Sequence, residues 1–137
     1  MSSVAKCFLW AEVTVCFAPA VLLLGIGLIA LPVQIRYLIA GDADSIIGAL
    51  TVIALTTGGA AGLVALGNLL NWVMDPPSIF IGRWYTLTGA IAGSAALLPY
   101  TAGEVDSPWW RLVGWMPLVC TVHLMYLGRT FLFRSRR

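Results

Sequence analysis

Apolar residues gather into four long runs, at residues 7–35, 45–74, 79–100 and 109–133, and most polar residues fall in three short stretches between them. Residues 45–74 form the clearest run, because no charged side chain interrupts it. A bilayer core needs roughly 20 apolar residues in a helix, so this run spans it with length left over for tilt. The first run exceeds the ~7–15 apolar residues of a signal-peptide core and is read as a retained helix. Pro19, Gly25 and Gly27 predict a kink in it, since proline removes a backbone donor and crowds the preceding turn, and Pro32 predicts its end. The pattern therefore predicts an all-α membrane protein, a four-transmembrane-helix bundle formed as one domain by residues 1–137.

The connections carry their own signals. Residues 36–44, RYLIAGDAD, hold Gly41 and two acids, and Ser45 is the predicted N-cap of the second helix. Asp75-Pro76-Pro77 marks the second turn, because two successive prolines cannot continue a helix. The third connection is the polar, acidic stretch TAGEVDSP at 101–108, and Pro117 lies inside the fourth run. Small residues repeat four apart on the two middle helices, Gly58 and Gly62 beside Ala61 and Ala65, and Gly89 and Gly93 beside Ala92 and Ala96. Such faces let helix backbones approach closely, so the second and third helices are expected to pack together there.

Composition removes several function classes. Apolar residues make up 60% and charged residues 10% of the chain, against about 45–50% and 25% in soluble domains. At 137 residues there is no room for a soluble catalytic domain beside the helices. A net charge of +2 is too small to suggest nucleic acid. Cys7, Cys16 and Cys120 lie inside apolar runs without a spacing pattern and define no disulfide framework.

Basic residues orient the bundle. With four spans, one side collects Lys6, Arg83, Arg129, Arg134, Arg136 and Arg137, and the other only Arg36 and Arg111. Lys and Arg accumulate on the cytoplasmic side, so both termini are expected in the cytoplasm, and the protein in a bacterial-type inner membrane. Asp42, Asp44, Glu104 and Asp106 then lie outside. Trp10, Trp72, Trp84 and Tyr85 fall near the inner interface, and Tyr37, Tyr100, Trp109 and Trp110 near the outer, as two aromatic belts.

Few residues within the runs could carry chemistry. Glu12 is the acid of the first helix, and a carboxylate in a membrane is a functional candidate by default. Its ordinary role would be to reach water near the interface or pair with Lys6 or Arg129. His123, the one histidine, lies six residues inside Arg129 and Glu12 six inside Lys6, so at 1.5 Å per residue both sit at a depth near ~9 Å and can meet. A plain interhelical hydrogen bond would explain His123 equally well. Cys16 shares a face with Glu12 and Cys120 with His123. Two thiols, an imidazole and a carboxylate would suit zinc, yet no compact ligand spacing is present and neither metal nor cofactor is expected. Asn68 and Asn71, three apart on the second helix, are either bridges between helices worth about 0.6 to 2 kcal/mol each or, with Glu12 and His123, the lining of a polar cavity open to the cytoplasm. Thr56 and Thr57 are expected to bond back to their own helix.

One motif resembles a known family. Ala11-Glu12-Val13 resembles the early Ala-Glu-Val of the small multidrug resistance transporters, four-helix proteins with a functional glutamate there. The resemblance covers these three residues; the connections and the chain are longer here, and the third helix lacks the family's aromatic and glycine signature in register. It implies proton-coupled export of a small cation or amphiphile, with Glu12 binding proton and substrate in turn.

Two classes of function follow. The first is a non-enzymatic helical subunit or scaffold whose faces pack its own bundle, a second copy or a larger membrane complex. The second is a small proton-coupled transporter or channel built on Glu12, Asn68, Asn71 and His123. No nucleophile and base pair, phosphate loop or metal motif points to an enzyme.

Overall fold

A computed structural model describes residues 3–75, 81–102 and 108–133, without the side chains at 100, 102, 108–110, 112 and 113. The described residues are almost entirely helical, and no strand occurs among them. The elements are α1 (Ser3–Ala40), α2 (Ala43–Met74), α3 (Arg83–Ala102), α4 (Pro108–Leu127) and the short α5 (Arg129–Phe133). Two of them, α1 and α2, are long and apolar enough to cross a membrane.

The helix ends differ from the sequence expectation at four places. α1 runs through Pro32 to Ala40 and does not stop near residue 35. A proline removes only its own bond to the carbonyl one turn back, whereas unwinding the helix among apolar side chains would leave several backbone groups without partners. The N-cap of α2 is Asp42, not Ser45: the Asp42 carboxylate accepts the Ser45 amide at 3.1 Å, so Ser45 is already helical. α3 begins at Arg83 and continues through Pro99 to Ala102, beyond the expected end at residue 100. The fourth run is broken at Gly128 into α4 and α5, where a Cβ on the glycine would lie 2.8 Å from Leu69 Cδ2. The predicted turn residues Pro76 and Pro77, the acids Glu104 and Asp106, and Arg134, Arg136 and Arg137 lie outside the described residues.

Packing follows a ring in which α1 touches α2, α2 touches α3, α3 touches α4 and α4 returns to α1. Neighbours are antiparallel: Gly27 of α1 faces Thr56 of α2 while Leu24 faces Gly59, one turn further along. The most extensive contact is between α2 and α3. At its crossing point the ideal Cβ of Gly62 would stand 2.5 Å from Gly93 Cα and 3.6 Å from Gly89 O, and that of Gly93 would stand 2.5 Å from Gly62 Cα and 3.6 Å from Gly58 O. The two glycine pairs thus meet reciprocally, and hydrogen is the only side chain that fits at their centre.

Large apolar side chains fill the half of the bundle nearer both chain ends. Leu9 and Phe17 of α1, Leu66 and Leu69 of α2, Leu124 of α4 and Leu132 of α5 form one buried cluster. Beyond the break at Gly128, the Phe131 ring of α5 lies against Trp72 with ring centroids 5.2 Å apart. Most of α1 remains outside this core: only 6% of its most apolar stretch is buried, and Phe8, Leu22, Ile29 and Ile39 stand exposed.

Candidate functional site

An acid on an apolar helix needs a partner that arrives on another element, and α4 supplies it. His123 Nδ1 lies 2.7 Å from Glu12 Oε1, across the seam between α1 and α4. That distance is a hydrogen bond between imidazole and carboxylate, in which the role of Nδ1 depends on the histidine tautomer. The side chains are 44% and 37% exposed, so the pair lies at the edge of the seam with access from outside the bundle. One turn deeper, Cys16 packs against the apolar cluster that contains the buried Cys120. Among the described residues no group of three potential ligands is arranged to hold a metal ion. Neither Lys6 nor Arg129 makes the described contact with Glu12; the Arg129 guanidinium lies over the Tyr126 ring, 4.6 Å from its centroid.

Asn68 belongs to a different place. It is 3% exposed and faces α3, where its Nδ2 donates to Thr86 Oγ1 at 2.8 Å and to the Ile81 carbonyl at 3.0 Å, while its Oδ1 accepts the Ile81 amide at 3.3 Å. One amide therefore ties α2 to the chain entering α3, satisfying backbone groups that precede the first helical turn. Asn71 is half-buried on the same side, in a cavity of about 630 Å³ shared with Asn68, Lys6, Trp10 and Asp75. Glu12 and His123 do not line that cavity. The four polar residues singled out in the sequence thus form two sites, because Asn68 points from α2 toward α3 while Glu12 points from α1 toward α4.

Several threonines are turned back onto their own helices. Thr56 donates to Val52 O at 2.7 Å, Thr57 to Ile53 O at 2.8 Å and Thr121 to Pro117 O at 2.7 Å. No buried side-chain nitrogen or oxygen among the described residues lacks a partner.

A second cavity lies where the large core side chains stop. It holds about 290 Å³ between α1, α2 and α3, with Thr121 of α4 at its floor, and its wall carries no charged residue among those described. The sequence signal for it was faint: small residues such as Gly59 and Ala30 line the volume, but small residues equally permit close packing, as at Gly27, Gly62 and Gly93. The chain matches no known family, no curated protein and no solved structure.

Proposed function

We propose that the chain is a multi-pass protein of a bacterial-type inner membrane, a four-span bundle with both termini cytoplasmic, that acts without catalysis as a helical subunit packing against partner helices. The observation that carries this reading is α1, a 38-residue helix that is strongly apolar, has no polar stripe along one side and is mostly uncovered. In water so much apolar surface would be a liability; in a membrane it is a face for lipid or for another helix. The internal satisfaction of the buried polar side chains supports the same reading, since such groups serve the bundle itself. At 20 residues each, α3 and α4 reach about 30 Å, the thickness of a hydrocarbon core, which supports counting them as spans.

The assembly state tests the proposal. Cys7 is exposed near the start of α1 and offers a natural thiol for cross-linking in intact membranes. Bismaleimide treatment should yield a species larger than the 14.7 kDa chain that disappears in Cys7→Ser, and the mass in mild detergent should exceed one chain. A single chain alone by both measurements would overturn the scaffold reading.

The Glu12–His123 pair favours a second reading, a small proton-coupled transporter or channel in which the proton of that hydrogen bond moves. Glu12→Gln separates the two: a carrier keeps its fold and loses proton-driven flux in vesicles, whereas a scaffold shows no such flux with either residue.

A further inference from the structure

We infer that the charge-free cavity between α1, α2 and α3 is a binding slot for one extended acyl chain of a membrane phospholipid, with the headgroup at the Gln34 end. This rests on the membrane location and not on the scaffold reading. Its shape is the first argument. The wall follows α1 from Phe17 to Gln34, about 25 Å at 1.5 Å per residue, yet the whole cavity holds only about 290 Å³. A volume so drawn out is a slot and suits a chain, not a compact solute. It is also longer than the ~15 Å that half a hydrocarbon core provides, so a tail inside it is held straight and reaches past the midplane.

Chemistry is the second argument. The hydroxyls of Thr56 and Thr121 on the wall are bonded to carbonyls of their own helices, so neither calls for a hydrogen-bond partner from a ligand. Ser94 and Gln34 supply the remaining polar side chains, and Gln34 stands at the end nearest the α1–α2 turn. A ligand matched to this wall is apolar along its length and polar at one end, and the proposed topology puts that end at the outer headgroup level. Water would find too few partners along the interior to fill it instead.

Gly59 provides the test. A Cβ there would meet only Leu24 Cδ1, at 3.7 Å, so Gly59→Leu places its side chain in the slot without a backbone clash. The full chain is reconstituted with phosphatidylcholine carrying a photoactivatable diazirine either at the tail end of one acyl chain or near its carbonyl, and adducts are mapped by mass spectrometry. Tail-end probes should label the Phe17 end of the slot and carbonyl-side probes the Gln34 end. Gly59→Leu should lose the labelling inside the slot, Gln34→Ala should lose the match between probe position and label position, and Gly25→Leu, where a Cβ meets nothing within 4 Å, should change neither. If Gly59→Leu fails to fold, the Gln34→Ala comparison still decides. Labels confined to outward side chains such as Leu22 and Ile29, labelling unchanged by both variants, or labelling by a diazirine fatty acid with none by the phospholipid would each overturn the assignment.

Discussion

A carboxylate inside an apolar helix is expensive unless something shares its charge or its proton, and Glu12 has His123 at 2.7 Å. Hydrogen bonds between membrane helices are worth about 0.6 kcal/mol on average and up to about 1.7, and the partial exposure of this pair argues for the lower part of that range. Glu12→Gln and His123→Ala should each destabilise the bundle, and the double variant should lose clearly less than the sum, because the second change removes a bond already broken. Unfolding of the four proteins in mixed micelles measures this; strict additivity would mean that the contact contributes nothing. Asp42 is an acid in a different setting, at the N-terminus of α2 and open to water. Hydrogen bonds from Ser45 hold its carboxyl below the usual carboxylate value. A depressed carboxyl contributes stability above its unfolded value near ~3.9 and loses it as pH falls through the folded value, so the first turn of α2 should stay capped at neutral pH and loosen only in stronger acid. The Ser45 amide followed by NMR during an acid titration reports the midpoint, and a midpoint above the unfolded value would contradict the cap.

At the scale of elements, the α2–α3 contact is built from absences of side chain. Gly62→Leu or Gly93→Leu forces four carbons into a place where even the first would stand 2.5 Å from a backbone atom, and overpacking of this kind costs about 1–3 kcal/mol. Gly25→Leu meets open space and should be tolerated, since leucine also favours the helix. Thermal stability of the three variants in one detergent checks the contrast, and equal tolerance would separate α2 from α3. This contact was legible in the sequence because the four-residue spacing of small residues is a one-dimensional image of a helix face, and the level shared by Glu12 and His123 was legible for a similar reason, since depth is counted in residues. Ends and angles were not. Pro32 carries a stop signal for helices surrounded by water, which rescues freed carbonyls; in the proposed membrane setting the surroundings would offer them nothing, and α1 continues. Asp42 and Ser45 are both good caps, and only the path of the chain after Ala40 selects the first. Which side of α2 Asn68 presents depends on where α3 lies, so its bonds to Ile81 and Thr86, and its separation from Glu12, could not be read from spacing on α2 alone.

For the whole molecule, the proposed orientation in a membrane rests on the side on which the cations lie. The antiparallel ring puts Lys6 of α1, Arg83 of α3 and Arg129 after α4 at one end, together with Asn68, Trp72 and the α5 turn, and puts the α1–α2 connection with Asp42 and Asp44 at the other. Two of these cations lie over aromatic rings, Arg83 at 5.5 Å from the Trp84 centroid and Arg129 at 4.6 Å from that of Tyr126, an arrangement suited to the headgroup level where rings and cations both stay partly wet. If that end is cytoplasmic, a reporter active only in the cytoplasm should work when fused after Arg137 and fail when inserted between residues 104 and 108. A reporter active only outside should do the reverse. Exchanging the bias, by Lys6→Gln with Arg129→Gln and two lysines added beside Asp42, should weaken or invert the pattern, because Lys and Arg near the helix ends set orientation while acids contribute little. A C-terminal fusion active only outside the cytoplasm would reverse the assignment and move the Gln34 end of the apolar slot to the cytoplasmic leaflet, leaving its shape and its chemistry as they are.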